Sequence, residues 1–387
     1  PCPKGRSLFC PPDLAGHPWL TTSEGDRVRM TATRCETQVI TVGVDTHQLV
    51  HHAAIVDSRL GSVADREFPA TSGGFADLVD WMSRYGQVSR VGVESTGSYG
   101  AGLTRHLIGA GVEVCEIQCP ATSTRRREGK SDVVDAYSAA RQAATGNPDR
   151  LGMPKLSTGV VESIRLLKVP RDSAVKQRTA AYSQLRDLIT TAPTPIREDL
   201  LTKTGKQRVA RAIGYRPDPA RLDDPTQAAK KSLRALATRI RALDIEIRDA
   251  DKDLTKLTQR VAPTVLAMPQ VGVQSTAQLL ITAGQNIDRM RTEATFAKLC
   301  GVAPLPATSG KTTTRHRLNR GGDRQANSAL YMIIIGRLAN DPATRAYRTR
   351  RTTEGKTTNE IIRCLKRHLA RSIYRALKHD LKHLDDL

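Results

Sequence analysis

Four carboxylates stand where acidic residues do metal chemistry. Asp45 ends a β-branched run that begins at Val39, Glu94 ends a second run from Val88, and Asp132 and Asp135 lie three residues apart at the start of a predicted helix. A spacing of three puts both aspartates on one helical face. Residues at the carboxyl ends of strands in an α/β sheet converge on a common edge, to which a helix start can also point. Four carboxylates meeting there would repel one another unless a divalent cation lay between them. Ligands that are all oxygen favour Mg²⁺, with Mn²⁺ as the alternative, over zinc. A pair of such ions activates an attacking oxygen and stabilises a leaving one in phosphodiester chemistry. Taken singly, each acid is an ordinary surface or capping residue, and Asp132 alone would N-cap its helix; the combination points to the metal site.

The elements that must position these residues follow from hydrophobic period. Val39–Val44, Val50–Val56 and Val63–Phe68 read as strands so closely spaced that they form an antiparallel meander. A helix from Phe75 to Arg84, a strand from Val88 to Val93, a helix from Gly102 to Gly109, a strand from Val112 to Ile117 and a helix from Ser131 to Ala144 then alternate, as in an α/β domain covering residues 37–150. Residues 151–262 carry few strand signals and read as a helical linker. There Leu233, Leu236, Ile240, Leu243, Ile247, Leu254 and Leu257 form one apolar stripe, suited equally to a bundle helix and to an intermolecular coiled coil. Residues 263–387 read as a mainly helical basic domain, opening on a Pro/Gly turn at Met268–Val273 that resembles a helix-hairpin-helix. Residues 1–36, rich in Pro and Gly and without periodicity, read as a disordered appendage, and Met30 is a candidate translation start.

The 387 residues carry 60 Lys and Arg against 39 Asp and Glu, a net charge of +21. Lys311 to Lys382 contribute 18 basic and five acidic residues, so +13 of that surplus sits in the C-terminal segment. So dense a cluster calls for a polyanion to neutralise it. Lys311, Arg315, Arg317, Arg320 and Arg324 are the first candidates for phosphate contact. Just ahead of them lies Ser309, on a Pro- and Gly-rich loop. A serine there is ordinarily a turn residue, but a hydroxyl beside several cations can also attack a phosphate. Tyr331, Tyr347 and Tyr374 are the rival nucleophiles, with Tyr331 expected in the core, and His316 reads as a phosphate contact. No apolar run approaches the 18 residues of a membrane span. Seven scattered cysteines without a CxxC pair suit neither a disulfide framework nor zinc, and imply a reducing cytoplasm.

A strand Asp, a strand Glu and Asp-x-x-Asp on a helix is the order of a ribonuclease-H-like nuclease core. The motifs Val-Gly-Val-Asp45-Thr-His, Val-Gly-Val-Glu94-Ser-Thr-Gly-Ser-Tyr and Gly-Lys-Ser-Asp132-Val-Val-Asp135-Ala resemble those of the IS-one-ten family of DEDD transposases. At the other end, Leu-Cys-Gly-Val-Ala-Pro304-Leu-Pro-Ala-Thr-Ser309-Gly-Lys and Arg317-Leu-Asn-Arg-Gly-Gly-Asp-Arg resemble the same family. Two departures stand out: Pro269-Gln-Val-Gly where the family commonly has Pro-Gly-Val/Ile-Gly, and Lys130-Ser-Asp for Lys-Thr-Asp. The resemblance implies a RuvC-like N-terminal domain, with Asp45, Glu94, Asp132 and Asp135 binding Mg²⁺ or Mn²⁺. It also implies Ser309 as a nucleophile that joins covalently to DNA, a structured guide RNA encoded by the element, and nucleoid association when acting. Recombination between paired DNA ends implies a homodimer or homotetramer. Two other readings are a RuvC-like junction nuclease, in which water attacks, and a non-catalytic nucleic-acid-binding protein with a degenerate nuclease fold.

Overall fold

The structure, a computed structural model, describes residues 38–117, 131–146, 151–306, 316–317, 321–382 and 384. The appendage assigned to residues 1–36 lies outside them. A five-stranded mixed sheet is built from β1 (Val39–Thr46), β2 (Val50–Val56), β3 (Ser62–Pro69), β4 (Gln87–Glu94) and β5 (Val114–Ile117), in the order β3-β2-β1-β4-β5. The first three strands form the expected antiparallel meander, and β1, β4 and β5 run parallel. β1 is central, and its residues from Ile40 to Thr46 are all buried.

The two faces of the sheet are covered differently, because alternate residues of a strand point to opposite sides. On one face Ile40, Val42, Val44, Val91 and Val93 meet Leu78, Trp81 and Met82 of α1 (Ser72–Ser83) and Leu103 and Leu107 of α2 (Ala101–Gly109). The other face receives α3 (Asp132–Thr145), whose buried residues Asp135, Ala136, Ala139, Ala140 and Ala143 form one stripe at helical spacing. Small side chains on this helix match glycines on the sheet. A Cβ on Gly43 would lie 2.0 Å from Ala140 N, and one on Gly92 would lie 2.9 Å from Ala143 Cβ. Only bare backbone at these two positions admits the helix so close.

The rest of the described chain is mostly helical. α4 (Gly159–Thr191) and α7 (Pro225–Val261) are long enough to extend about 50 and 55 Å at 1.5 Å per residue. They lie antiparallel, because Arg171 pairs with Asp251 at 2.9 Å while Arg178, seven residues on, pairs with Asp244, seven residues back, at 2.8 Å. The stripe residues Leu233, Ile240, Leu243, Ile247 and Leu254 of α7 are buried. They are consumed inside the chain, as a bundle helix uses them. Leu233 and Ile240 join α5 (Thr194–Leu201) and α6 (Gly205–Ile213) in a core at one end of the pair. Leu254 and Val261 join the C-terminal core at the other end.

That C-terminal core is assembled from α8 (Pro263–Leu266), α9 (Val273–Ala283), α10 (Glu293–Leu299), α11 (Arg324–Asn340), α12 (Pro342–Thr353) and α13 (Thr358–Lys382). Residues 151–158 connect it to the sheet and are held on both sides. Glu116 N of β5 donates to Gly152 O at 2.7 Å, while Asn286 bonds Leu156 N at 3.0 Å and Pro154 O at 2.9 Å. Two short strands, β6 (Leu305–Pro306) and β7 (His316–Arg317), pair so that Pro306 faces His316. Among the described residues, no helix is long and apolar enough to cross a membrane.

Candidate metal centre

β1 and β4 deliver Asp45 and Glu94 side by side. The parallel register pairs Gly43 with Gly92 and Val44 with Val93, so the next residues, Asp45 and Glu94, lie together at the carboxyl ends of both strands. Thr46 Oγ1 donates to Glu94 O at 3.1 Å and ties those ends together. Both acids lie two residues beyond the paired glycines, on the face that α3 covers, and both are buried.

α3 brings the remaining two acids to the same place. Its N-cap is Ser131, whose hydroxyl accepts from Val134 N. Asp132 is therefore not the cap that its position alone would suggest; it occupies the first helical turn, exposed, with Asp135 buried one turn on. Negative charge at a helix start is favoured by the backbone dipole, which partly offsets the crowding of acids. Burial raises the Asp45 carboxyl above its usual range, Asp135 and Asp132 push in the same direction, and His47 opposes them.

His47 is the residue that sequence reasoning passed over. Its Nε2 stands 3.1 Å from Asp45 Oδ2 and 3.4 Å from Asp132 Oδ1. One ligand atom from each of these three residues lies within 4.8 Å of the others. The available signal was spacing: His47 follows Asp45 by two positions, directly after β1 ends at Thr46. Attention to carboxylates alone hid it.

An open cleft of about 490 Å³ leads to this group, lined by His47, Asp132, Tyr99, the hairpin residues Gln48–Val50, and His52 and Glu67 of β2 and β3. His52 is the register partner of Asp45, and its Nε2 lies 2.9 Å from Asp65 Oδ2, while the other oxygen, Asp65 Oδ1, accepts from Tyr137 OH of α3 at 3.2 Å. Ser95, directly after Glu94, adopts φ +50°, the left-handed region that side chains rarely occupy, as the chain turns out of β4 toward Tyr99. Converging carboxylate oxygens with one imidazole nitrogen make a donor set that fits a divalent cation.

The other expected site residues divide by position. Ser309, Lys311, Arg315 and Arg320 lie outside the described residues, as does the side chain of Arg317. Arg324 is exposed in the first turn of α11, just past its N-cap Asp323. The tyrosines do not fall as expected. Tyr331 is 42% exposed rather than in the core, on α11 beside the exposed Met332 and Ile335, whereas Tyr374 is buried and donates to Met290 O at 2.6 Å. Cys115 and Cys300 are buried free thiols pushed by desolvation up to about 11 and about 12, which makes them poor nucleophiles.

Residues 42–192 match a family model described as a transposase of the IS110 DEDD type, and residues 262–349 match one described as Transposase IS116/IS110/IS902 family. The chain is 25% identical to the insertion element IS900 uncharacterized 42 kDa protein of Mycobacterium paratuberculosis, over 88% of this chain and 96% of that one. It is 30% identical to the insertion element IS110 uncharacterized 43.6 kDa protein of Streptomyces coelicolor, over 40% of this chain and 37% of the relative. The first family match takes in the carboxylate sheet and α4, and the second most of the C-terminal helical core, so the chain belongs to the IS110 family of transposases.

Proposed function

We propose that this transposase cleaves and rejoins DNA strands to move an insertion element, with Asp45, Glu94, Asp132 and Asp135 holding Mg²⁺ or Mn²⁺ and Ser309 as the nucleophile. The observation that carries this reading is the convergence of acids from β1, β4 and α3 on one sheet edge, beside an open cleft. The strand order, with an antiparallel meander followed by parallel β4 and β5, supports a ribonuclease-H-like assignment for this domain. A bound cation would polarise a phosphate oxygen and offset the charge of the transition state. The protein's own part is to hold the carboxylates in place through the Gly43 and Gly92 contacts, and to offer Tyr99 at the cleft lip as a flat ring for a base.

In the covalent step, the Ser309 Oγ–phosphorus bond forms as one ester bond of the DNA backbone breaks. The serine proton passes to solvent or a base, and the departing sugar oxygen takes one up. The basic C-terminal helices would bind element DNA together with a structured RNA, and a homodimer or homotetramer would pair the ends. The junction-nuclease reading is disfavoured because the family matches extend to residues 262–349, well beyond a nuclease domain. The test is incubation with Mg²⁺, candidate RNA and element-end DNA, followed by denaturation. A surviving protein–DNA adduct that disappears in Ser309→Ala and in EDTA supports the reading. Cleavage by Ser309→Ala at the wild-type rate would return the reaction to water.

A further inference from the structure

His47 is held at the mouth of the carboxylate group by the turn between β1 and β2, where its backbone N–H donates to Val50 O at 3.2 Å. The ring points its Nε2 between two acids, 3.1 Å from Asp45 Oδ2 and 3.4 Å from Asp132 Oδ1. The nearer distance suits an Nε2–H hydrogen bond, but a single proton cannot serve both carboxylates well at these separations. A cation can. Around an octahedral ion with donors at about 2.1 Å, neighbouring donors stand about 3 Å apart, which is close to the spacing seen here.

We infer that His47 is a nitrogen ligand of the same divalent ion that Asp45 and Asp132 hold, and that it tilts the site from Mg²⁺ toward Mn²⁺. The inference rests on the metal-dependent reading above and adds to it a donor and a selectivity. Mg²⁺ strongly prefers oxygen ligands, whereas imidazole suits transition metals, whose affinity for nitrogen rises along the series that begins at Mn²⁺. The oxygen-only set expected from the four acids thus becomes a mixed one. The cation replaces the Nε2 proton, so the ring must bind it in its neutral form with the remaining proton on Nδ1.

Pulsed electron paramagnetic resonance on the full-length protein loaded with Mn²⁺ tests this without reference to activity. The wild type should show nitrogen modulation from a bound imidazole, and its frequency should change when histidine is labelled with ¹⁵N. His47→Ala and His47→Gln should both lose the modulation while still binding Mn²⁺, roughly tenfold or more weakly, with a smaller change for Mg²⁺. His52→Gln should keep it, since His52 is the other imidazole of the cleft. Saturable Mn²⁺ binding that needs Asp45 but shows no imidazole coupling would overturn the role of His47 and leave the carboxylate site intact. Coupling lost in His52→Gln instead would assign the ligand to His52. If Asp45→Asn binds Mn²⁺ as tightly as the wild type, both the inference and the metal-dependent reading fail.

Discussion

A carboxyl group held out of water beside two others is a burden on the fold that carries it. The Asp45 carboxyl is raised, first by burial and then by Asp135 and Asp132. A raised acid binds its proton more readily in the folded than in the unfolded chain, so its favourable contribution exists at low pH and is lost as pH rises through the folded value. Without added metal, Asp45→Asn should therefore melt higher than the wild type at pH 7.5, by roughly 1–3 °C. The advantage should shrink as pH falls into the carboxylate range. Thermal melts in EDTA at pH 7.5 and pH 4.5 check this, and a lower melting point for Asp45→Asn at pH 7.5 would contradict it. Gln270 carries a burden of another kind: it sits at φ +61°, where the family commonly has glycine and a side chain costs about 1–2 kcal/mol. Glycine there recovers part of that cost, less about 0.5–1 kcal/mol for the added freedom of the unfolded chain. Gln270→Gly should stabilise by up to about 1 kcal/mol in urea titrations. A loss would mean that the packing of Gln270 against Gly336, where a Cβ would lie 3.0 Å from Gln270 Oε1, outweighs the strain.

Between elements, the site depends on how closely α3 sits on the sheet. The carboxylate positions were legible because each ends a β-branched run or opens a periodic helix, which are local signals. The docking that unites them was not, since it depends on contacts between residues nearly a hundred positions apart. Yet its trace stands in the motifs: a glycine precedes Asp45 and Glu94 by two positions in each, on the face that α3 covers. Gly43→Ala would place Cβ 2.3 Å from Ala136 O as well as 2.0 Å from Ala140 N, both backbone atoms that cannot rotate away. Gly92→Ala would meet Ile117 Cγ1 at 2.8 Å, which can rotate, and Ala143 Cβ at 2.9 Å and Ala139 O at 3.0 Å, which cannot but lie farther off than the atoms around Gly43. Overpacking of this kind costs about 1–3 kcal/mol. Gly43→Ala should fall at or beyond the upper end and Gly92→Ala lower, with Mn²⁺ affinity falling in the same order as α3 is displaced. Equal stability of the two variants in urea would show that α3 gives way freely. The stripe on α7 left two partners open for a similar reason: periodicity reveals an apolar face but not what covers it. α4 covers it here, in the register set by Arg171–Asp251 and Arg178–Asp244.

Across the whole molecule, the charge surplus is sharpened by where the acids go. Of the five in the C-terminal segment, Asp323 and Asp341 cap α11 and α12, and Glu360 bonds Thr357 ahead of α13. Asp380 is buried, accepting from Thr264 N and Val265 N, and Glu354 pairs with Arg350 and Arg351. Outside the segment, the single carboxylate of Glu293 is shared by Arg367, Arg371 and Arg375. Acids are thus largely taken up in helix ends, while Arg324, Arg345, Arg348 and Arg363 stand exposed. A surface of this kind binds phosphates by releasing their counterions, so affinity for duplex DNA should fall with salt at a log–log slope of about −0.9 per phosphate neutralised. Changing Arg345 and Arg348 together to glutamine should make that slope shallower by up to about 2 and weaken binding to all sequences alike, because phosphate contacts carry no sequence information. Asp45→Asn should leave the slope unchanged, since the carboxylate group lies on the sheet and not on these helices. Fluorescence anisotropy between 50 and 300 mM salt, on element-end and unrelated duplexes, measures both quantities. A slope that the arginine changes leave untouched would mean that α12 is only solvated surface, and the phosphate contacts would then have to be sought on other basic elements.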